Sequence, residues 1–316
     1  MKKLFISMLA IAALASCAKE DIVVSDPGEL IGFNSFVENS TRADAATDPS
    51  YKASTLDHFT VYGTVNDVNI FGDIAVTKTD DVWSYTGNTQ YWIAGAPYKF
   101  AAVVDATSVA TDTNTGLPTV LSYTTSTQTD MLYDYVETVG QPTDNDGLVA
   151  FQFTHLLSKV KFSVTNETVA AADNYRIVVT DAKLTNVYPS GTYTVNGDAG
   201  TWAPATATEY ILEDLTVESY TTQYNSNEVL LIPGSAVGVY VKAEIQATDD
   251  NGTTWTKVST MEKTFTNVLG KTGDTPNVLV ANNAYHFAVK LGIGTEIQFT
   301  ATMLNDWNEN SATELK

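Results

Sequence analysis

The chain has 316 residues, 44% of them hydrophobic, and carries 37 acidic against 17 basic side chains, for a formal charge of −20. This length and apolar content suit two domains of ordinary size, each with its own core, whereas the acidity and the scattered basic residues exclude counterion-release binding to nucleic acid or anionic headgroups. The single cysteine rules out an intrachain disulfide, so stability has to come from packed β-sheet cores.

Lys2 and Lys3 precede an apolar run over residues 4–15, which ends in Leu14-Ala15-Ser16-Cys17. The run is of signal-peptide length and falls short of the roughly 20 residues that span a bilayer as a helix. Residues 1–16 therefore read as a signal peptide, and Cys17 reads as a lipid-attachment site in a pattern that resembles the bacterial lipobox. A lone acyl chain holds only marginally at about 0.8 kcal/mol per buried methylene, so a multiply acylated cysteine is what makes a lasting anchor. Ala18-Lys19-Glu20-Asp21 then resembles the Lys-acidic-acidic signal that sends some lipoproteins of Bacteroidetes-type bacteria to the outer face of the outer membrane.

The next strand expected is residues 30–37, with Ile31, Phe33 and Val37 on one face. Residues 38–50 are rich in Asn, Ser, Thr, Asp and Ala and read as an exposed linker, with Arg42 in its middle. From Leu56 onward, short alternating runs at 59–62, 69–71, 82–85 and 98–104 are punctuated by Gly63, Gly72-Asp73, Gly87-Asn88 and Gly95-Ala96-Pro97, the spacing of an all-β sandwich. Residues 105–117 read as a polar loop, and 129–136 as a short helix or an irregular crossover. A turn-rich junction at 141–147 precedes the apolar strand 148–153, and the domain boundary is placed near Thr154. Further strands are expected at 158–164, 176–184, 191–195, 229–232, 237–247, 255–265, 284–291 and 297–303.

No constellation for catalysis or metal binding emerges. His58, His155 and His286 are far apart and fit no metal-ligand spacing. Asp144-Asn145-Asp146-Gly147 and Asp249-Asp250-Asn251-Gly252 miss the register of a calcium loop and read as turns. Nucleophile elbows and phosphate loops are lacking, and no pair among the acidic residues stands out. The chain is expected to be no enzyme and to need no cofactor. Trp83, Tyr85, Tyr91, Trp92 and Tyr98 fall close together and suit core packing, with a sugar-stacking platform as the alternative.

Three segments carry a family resemblance. Residues 151–162, Phe-Gln-Phe-Thr-His-Leu-Leu-Ser-Lys-Val-Lys-Phe, are similar to a Phe-x-His-x-x-Ser-Lys-Val signature; Tyr91-Trp92 followed by Tyr98-Lys99-Phe100 is the second; Tyr285-His286-Phe287 leading through Gly294 and Ile297 to Asp306-Trp307 is the third. Their order and spacing resemble the fimbrillin family, the type V pilins and Mfa-like lipoproteins of Bacteroidetes-type bacteria. The resemblance implies two tandem transthyretin-like Greek-key β-sandwiches, residues 43–154 and 155–316, behind a lipidated propeptide of residues 17–42. It also implies an outer-membrane lipoprotein at the cell surface and in the fimbria, with a role in adhesion to a host or bacterial surface ligand. Its partners are then other fimbrial subunits and an Arg-specific protease, and the matching bond is Arg42-Ala43.

Cleavage there would discard the lipid together with the strand bearing Ile31, Phe33 and Val37. At about 1.5–3 kcal/mol each, that burial totals roughly 5–9 kcal/mol, comparable with the whole stability of a domain, about 5–15 kcal/mol. The vacated groove should then take a strand from another subunit. The resemblance places the donor near a neighbour's carboxyl end, where Ile297, Phe299, Ala301 and Met303 alternate suitably. The alternative role is a glycan-binding outer-membrane lipoprotein of the same compartment.

Overall fold

The computed structural model describes residues 28–37, 56–87, 89–166, 174–212, 215–217, 222–224, 228–249, 252–304, 307 and 312–314. Cys17, Arg42 and Ala43 lie outside them. Within these bounds the protein is all-β, built as two β-sandwich domains.

In the amino-terminal half a seven-stranded sheet runs in the order Phe33–Val37, Val149–His155, Leu132–Val139, Pro97–Val104, His58–Val65, Val68–Thr79, Val82–Tyr85. Two of its hairpins turn on residue pairs with positive φ, Asn66-Asp67 and Asp80-Asp81. Asn and Asp tolerate the left-handed region that a two-residue type I′ turn demands. The sheet curls until its two edge strands meet. Phe33 on one edge lies 5.6 Å from the ring of Tyr85 on the other, and the Tyr85 hydroxyl donates to the Ile31 carbonyl at 2.9 Å. Phe59, Val61, Phe71, Tyr98, Phe100, Phe151 and Phe153 fill the interior.

The outer face of this sheet is covered by a second sheet, ordered Ala199–Pro204, Ser190–Asn196, Pro118–Thr124, Ser108–Thr111. Two of these strands come from beyond residue 155, so a hairpin of the second half pairs with the first half, Ser190–Asn196 against Pro118–Thr124. The carboxyl-terminal sandwich packs Tyr175–Val187, Gly238–Ala247 and Thr256–Phe265 against Ser158–Asn166, Ala284–Leu291 and Gln298–Leu304 around Val160, Phe162, Val179, Val241, Phe287 and Val289.

Two sequence expectations need correction. Of residues 129–136, read as a helix or crossover, 132–136 belong to the strand Leu132–Val139. Its aromatic and β-branched side chains favour extended backbone, and buried Tyr133 donates to the distant Gly197 carbonyl at 3.0 Å. The expected loop 105–117 contains the strand Ser108–Thr111, which pairs with Pro118–Thr124.

His286 sits in the Ala284–Leu291 strand, its Nε2 2.6 Å from the Ser163 hydroxyl, and burial, aided by nearby Lys161, lowers its pKa below 6.5. The unfolded chain therefore takes up this proton more readily, and the linked stability is present above the unfolded value and lost as pH falls through the folded one. Unfolding midpoints measured from pH 7 to pH 5 should fall, and His286→Gln should flatten that part of the profile.

Candidate functional site: a strand-filled groove and its joint

The strand Phe33–Val37, called here the leader strand, lies parallel to Val149–His155, in register from Phe33↔Val149 to Val37↔Phe153. The neighbour on the other side of that host strand, Leu132–Val139, is laddered to it only at Tyr133↔Thr154 and Leu132↔His155. Among the described residues, then, Val149–Phe153 have the leader as their ladder partner. The segment just before the leader is held from the opposite wall: Ile31 N–H donates to the Gln90 carbonyl at 2.9 Å and Trp92 N–H to that of Glu29 at 3.0 Å. Gln141 donates its side-chain amide to the Glu29 carboxylate.

Ile31, Phe33 and Ser35 point inward and are buried, the consequence of period-two alternation along an extended chain. Phe33 is surrounded by Phe71, Tyr85, Phe100 and Phe151, with ring centroids 5.4–6.0 Å away. Val37 is in register with Phe153. Gly28 permits the close approach to the wall, since a Cβ there would sit 2.1 Å from the Trp92 carbonyl oxygen. Sequence reasoning singled out Ile31 and Phe33; it passed over Ser35 because a serine gives no apolar signal, and over Gly28 because its neighbour across the groove is 64 residues away.

The aromatic cluster turns out to be groove wall. Trp92 and Tyr98 are buried, and Trp83 packs on Phe59 at 4.7 Å with the Lys78 ammonium over its ring. Tyr91 alone of the five is half exposed. A sugar platform needs open ring faces, which buried Trp92 and Tyr98 do not offer.

The 151–162 signature serves two places at once. Phe151 and Phe153 line the groove. His155, buried, contacts Asp130 through Nδ1 at 2.7 Å and stacks on Trp307 at 3.8 Å and 14°. Lys159 donates to the Trp307 carbonyl at 2.9 Å and ion-pairs with Glu228. The Ser158 hydroxyl donates to the Val280 carbonyl at 2.7 Å. Between them, buried Leu156 and Leu157 form the whole connection between the two strands; Leu156 N–H donates to the Met131 carbonyl at 3.0 Å, and the Leu157 carbonyl accepts from Asn282 N–H at 2.8 Å. The signature is thus a joint that locks both halves to the carboxyl-terminal tryptophan.

Residues 41–307 match the family model described as fimbrillin-like. The chain belongs to the fimbrillin-like family. It is also 24% identical, over 86% of its length and 78% of the relative's, to the fimbrium subunit Fim1C of Phocaeicola vulgatus. Solved structures share the fold: a fimbrial protein from Bacteroides vulgatus, with a TM-score of 0.59 at 16% identity over 88% of this chain and 99% of that one, and a candidate cell adhesion protein from Bacteroides ovatus, with a TM-score of 0.56 at 15% identity over 90% of this chain and all of that one. The family is one of structural fimbrial subunits. Its matched span ends on Trp307 and begins beyond the leader strand.

The expected donor residues fall in the carboxyl-terminal core of this same fimbrillin-like chain. Gln298–Leu304 is laddered to Ala284–Leu291, Ile297 and Ala301 are buried, and Phe299 packs on Phe265 and Phe287 at 5.1 and 5.8 Å. Met303 is more exposed than the other three, because its place opposite Tyr285 at the end of the ladder leaves that side chain outside the core cluster. The alternation noted in the sequence thus serves the chain's own sandwich.

Two outcomes follow for variants. Phe33→Ala should lose about 3–5 kcal/mol of stability by chemical denaturation, the usual range for a buried aromatic truncated to alanine, and should speed hydrogen exchange along Val149–Phe153. Trp307→Ala should cost a similar amount, and calorimetry should resolve its unfolding into two transitions where the wild type shows one.

Proposed function

We propose that this fimbrillin-like protein is a subunit of a cell-surface fimbria, exported as a lipoprotein through Cys17 and activated when an Arg-specific protease cuts Arg42-Ala43. The observation that carries this reading is the pairing of Val149–Phe153: its ladder partner is a strand that precedes the cut site and lies outside the family-matched span. Hydrolysis of that bond leaves the leader held without covalent tether, and its departure takes the lipid with it. The open ladder and the pockets of Ile31 and Phe33 then favour a replacement strand from a neighbouring subunit, by strand addition.

Arginine specificity suits the chain. Of its two arginines, Arg176 is inside the strand Tyr175–Val187, its Nε donating to Gln246 at 2.9 Å and its guanidinium over the Trp255 ring at 4.5 Å. A protease needs an extended, unpaired segment, which a central strand does not offer. With Gln298–Leu304 committed to its own core, a strand given to a neighbour comes from another segment, and the chain serves as a stalk, tip or anchor subunit of the fimbria. Adhesion to a host or bacterial surface is the role such a subunit serves.

Wild-type protein treated with an Arg-specific protease should form ladders resistant to mild denaturant on gels. Arg42→Ala should remain a lipidated monomer with its leader in place. Monomer that persists after a confirmed cut at Arg42-Ala43 overturns the reading.

A further inference from the structure

The leader fits its groove well at two positions and poorly at the third. Ile31 and Phe33 are apolar and buried, while Ser35, in register with fully buried Phe151, is 5% exposed. Its backbone N–H donates to the Asn34 side chain at 2.8 Å, but its hydroxyl oxygen is buried without a hydrogen-bond partner. A polar group taken out of water and left unpaired is unfavourable, and an apolar group of the same shape at the same place carries no such cost. Nothing in the leader's backbone demands serine, since the residue is ordinary strand and alanine occupies the same space less one oxygen.

We propose that Ser35 makes the leader a provisional occupant of the groove, and that the strand which replaces it carries an apolar side chain at this third position. This rests on the strand-exchange reading above and adds what drives it forward. Loss of the covalent tether alone would leave the leader bound in its own groove at equilibrium. A partner strand with apolar residues at the three inward positions of Ile31, Phe33 and Ser35 covers the same ladder without stranding a hydroxyl, so the exchange runs toward the partner. The mismatch lies on the piece that is discarded, which leaves the mature groove itself unimpaired.

The test compares full-length wild type with Ser35→Ala and Ser35→Val. In the uncut proteins, hydrogen exchange along residues 33–37 and 149–153 reports how often the leader opens. Ser35→Ala should slow that opening about tenfold or more, a tenfold change being 1.4 kcal/mol. After nicking with an Arg-specific protease, release of the leader, followed by mass spectrometry, should slow by the same factor, and ladder formation should lag with it. Ser35→Val should slow release at least as much wherever the pocket admits the added methyls. Opening and release that are unchanged or faster in Ser35→Ala overturn the inference. If the wild-type leader stays bound after a confirmed nick, the exchange reading fails by itself, and the opening rates of the uncut proteins still decide the role of Ser35.

Discussion

A β-strand buried in a core cannot be left without a ladder partner, and in this protein the strand Val149–His155 obtains most of its partner from outside the family-matched part of the chain. Its first five residues pair with the leader, and only its last two pair with Leu132–Val139. Unpaired backbone donors and acceptors beside an apolar core are costly, and an open strand edge invites another strand. The curled seven-stranded sheet, the meeting of its edges at Phe33 and Tyr85, and the aromatic interior all depend on that slot being filled.

Both halves use the same device. In each, the first strand lies parallel to a strand from near the far end of its domain: Phe33–Val37 beside Val149–His155 over five residue pairs, and Ser158–Asn166 beside Ala284–Leu291 over eight. The second pair is fixed, because Ser158 follows the first domain's last strand after two buried leucines. The first would become detachable through the proposed cut at Arg42-Ala43, because its strand stands on the amino-terminal side of that bond. Host strand and joint are one continuous segment, so the groove wall at Phe151 and Phe153 and the clamp of His155 and Lys159 on Trp307 are mechanically coupled.

Much of this was legible along the chain. The leader's Ile31 and Phe33, the strand periodicity of both halves, and the signature at 151–162 are local patterns, and local patterns survive folding because side-chain alternation is set by backbone geometry. What escaped was non-local. Residues 129–136 look helical or irregular until Pro97–Val104 lies beside 132–136; the hairpin Ser190–Asn196 with Ala199–Pro204 gives no hint that its partner is Pro118–Thr124. Ile297, Phe299 and Ala301 alternate as a free donor strand would, and the alternation is satisfied within their own sandwich.

Composition and order of residues by themselves determined that this is an acidic all-β chain with a fimbrillin-like pattern, because strand propensity, turn chemistry and short motifs are written in near neighbours. Only the tertiary structure decided what those motifs are for. It made the signature a joint by bringing Trp307 onto His155, 152 residues away, and it made Ser35 a misfit by burying a hydroxyl where no partner reaches it. Both depend on which surfaces lose water together, and that is settled by packing across the sheets, not along the strand.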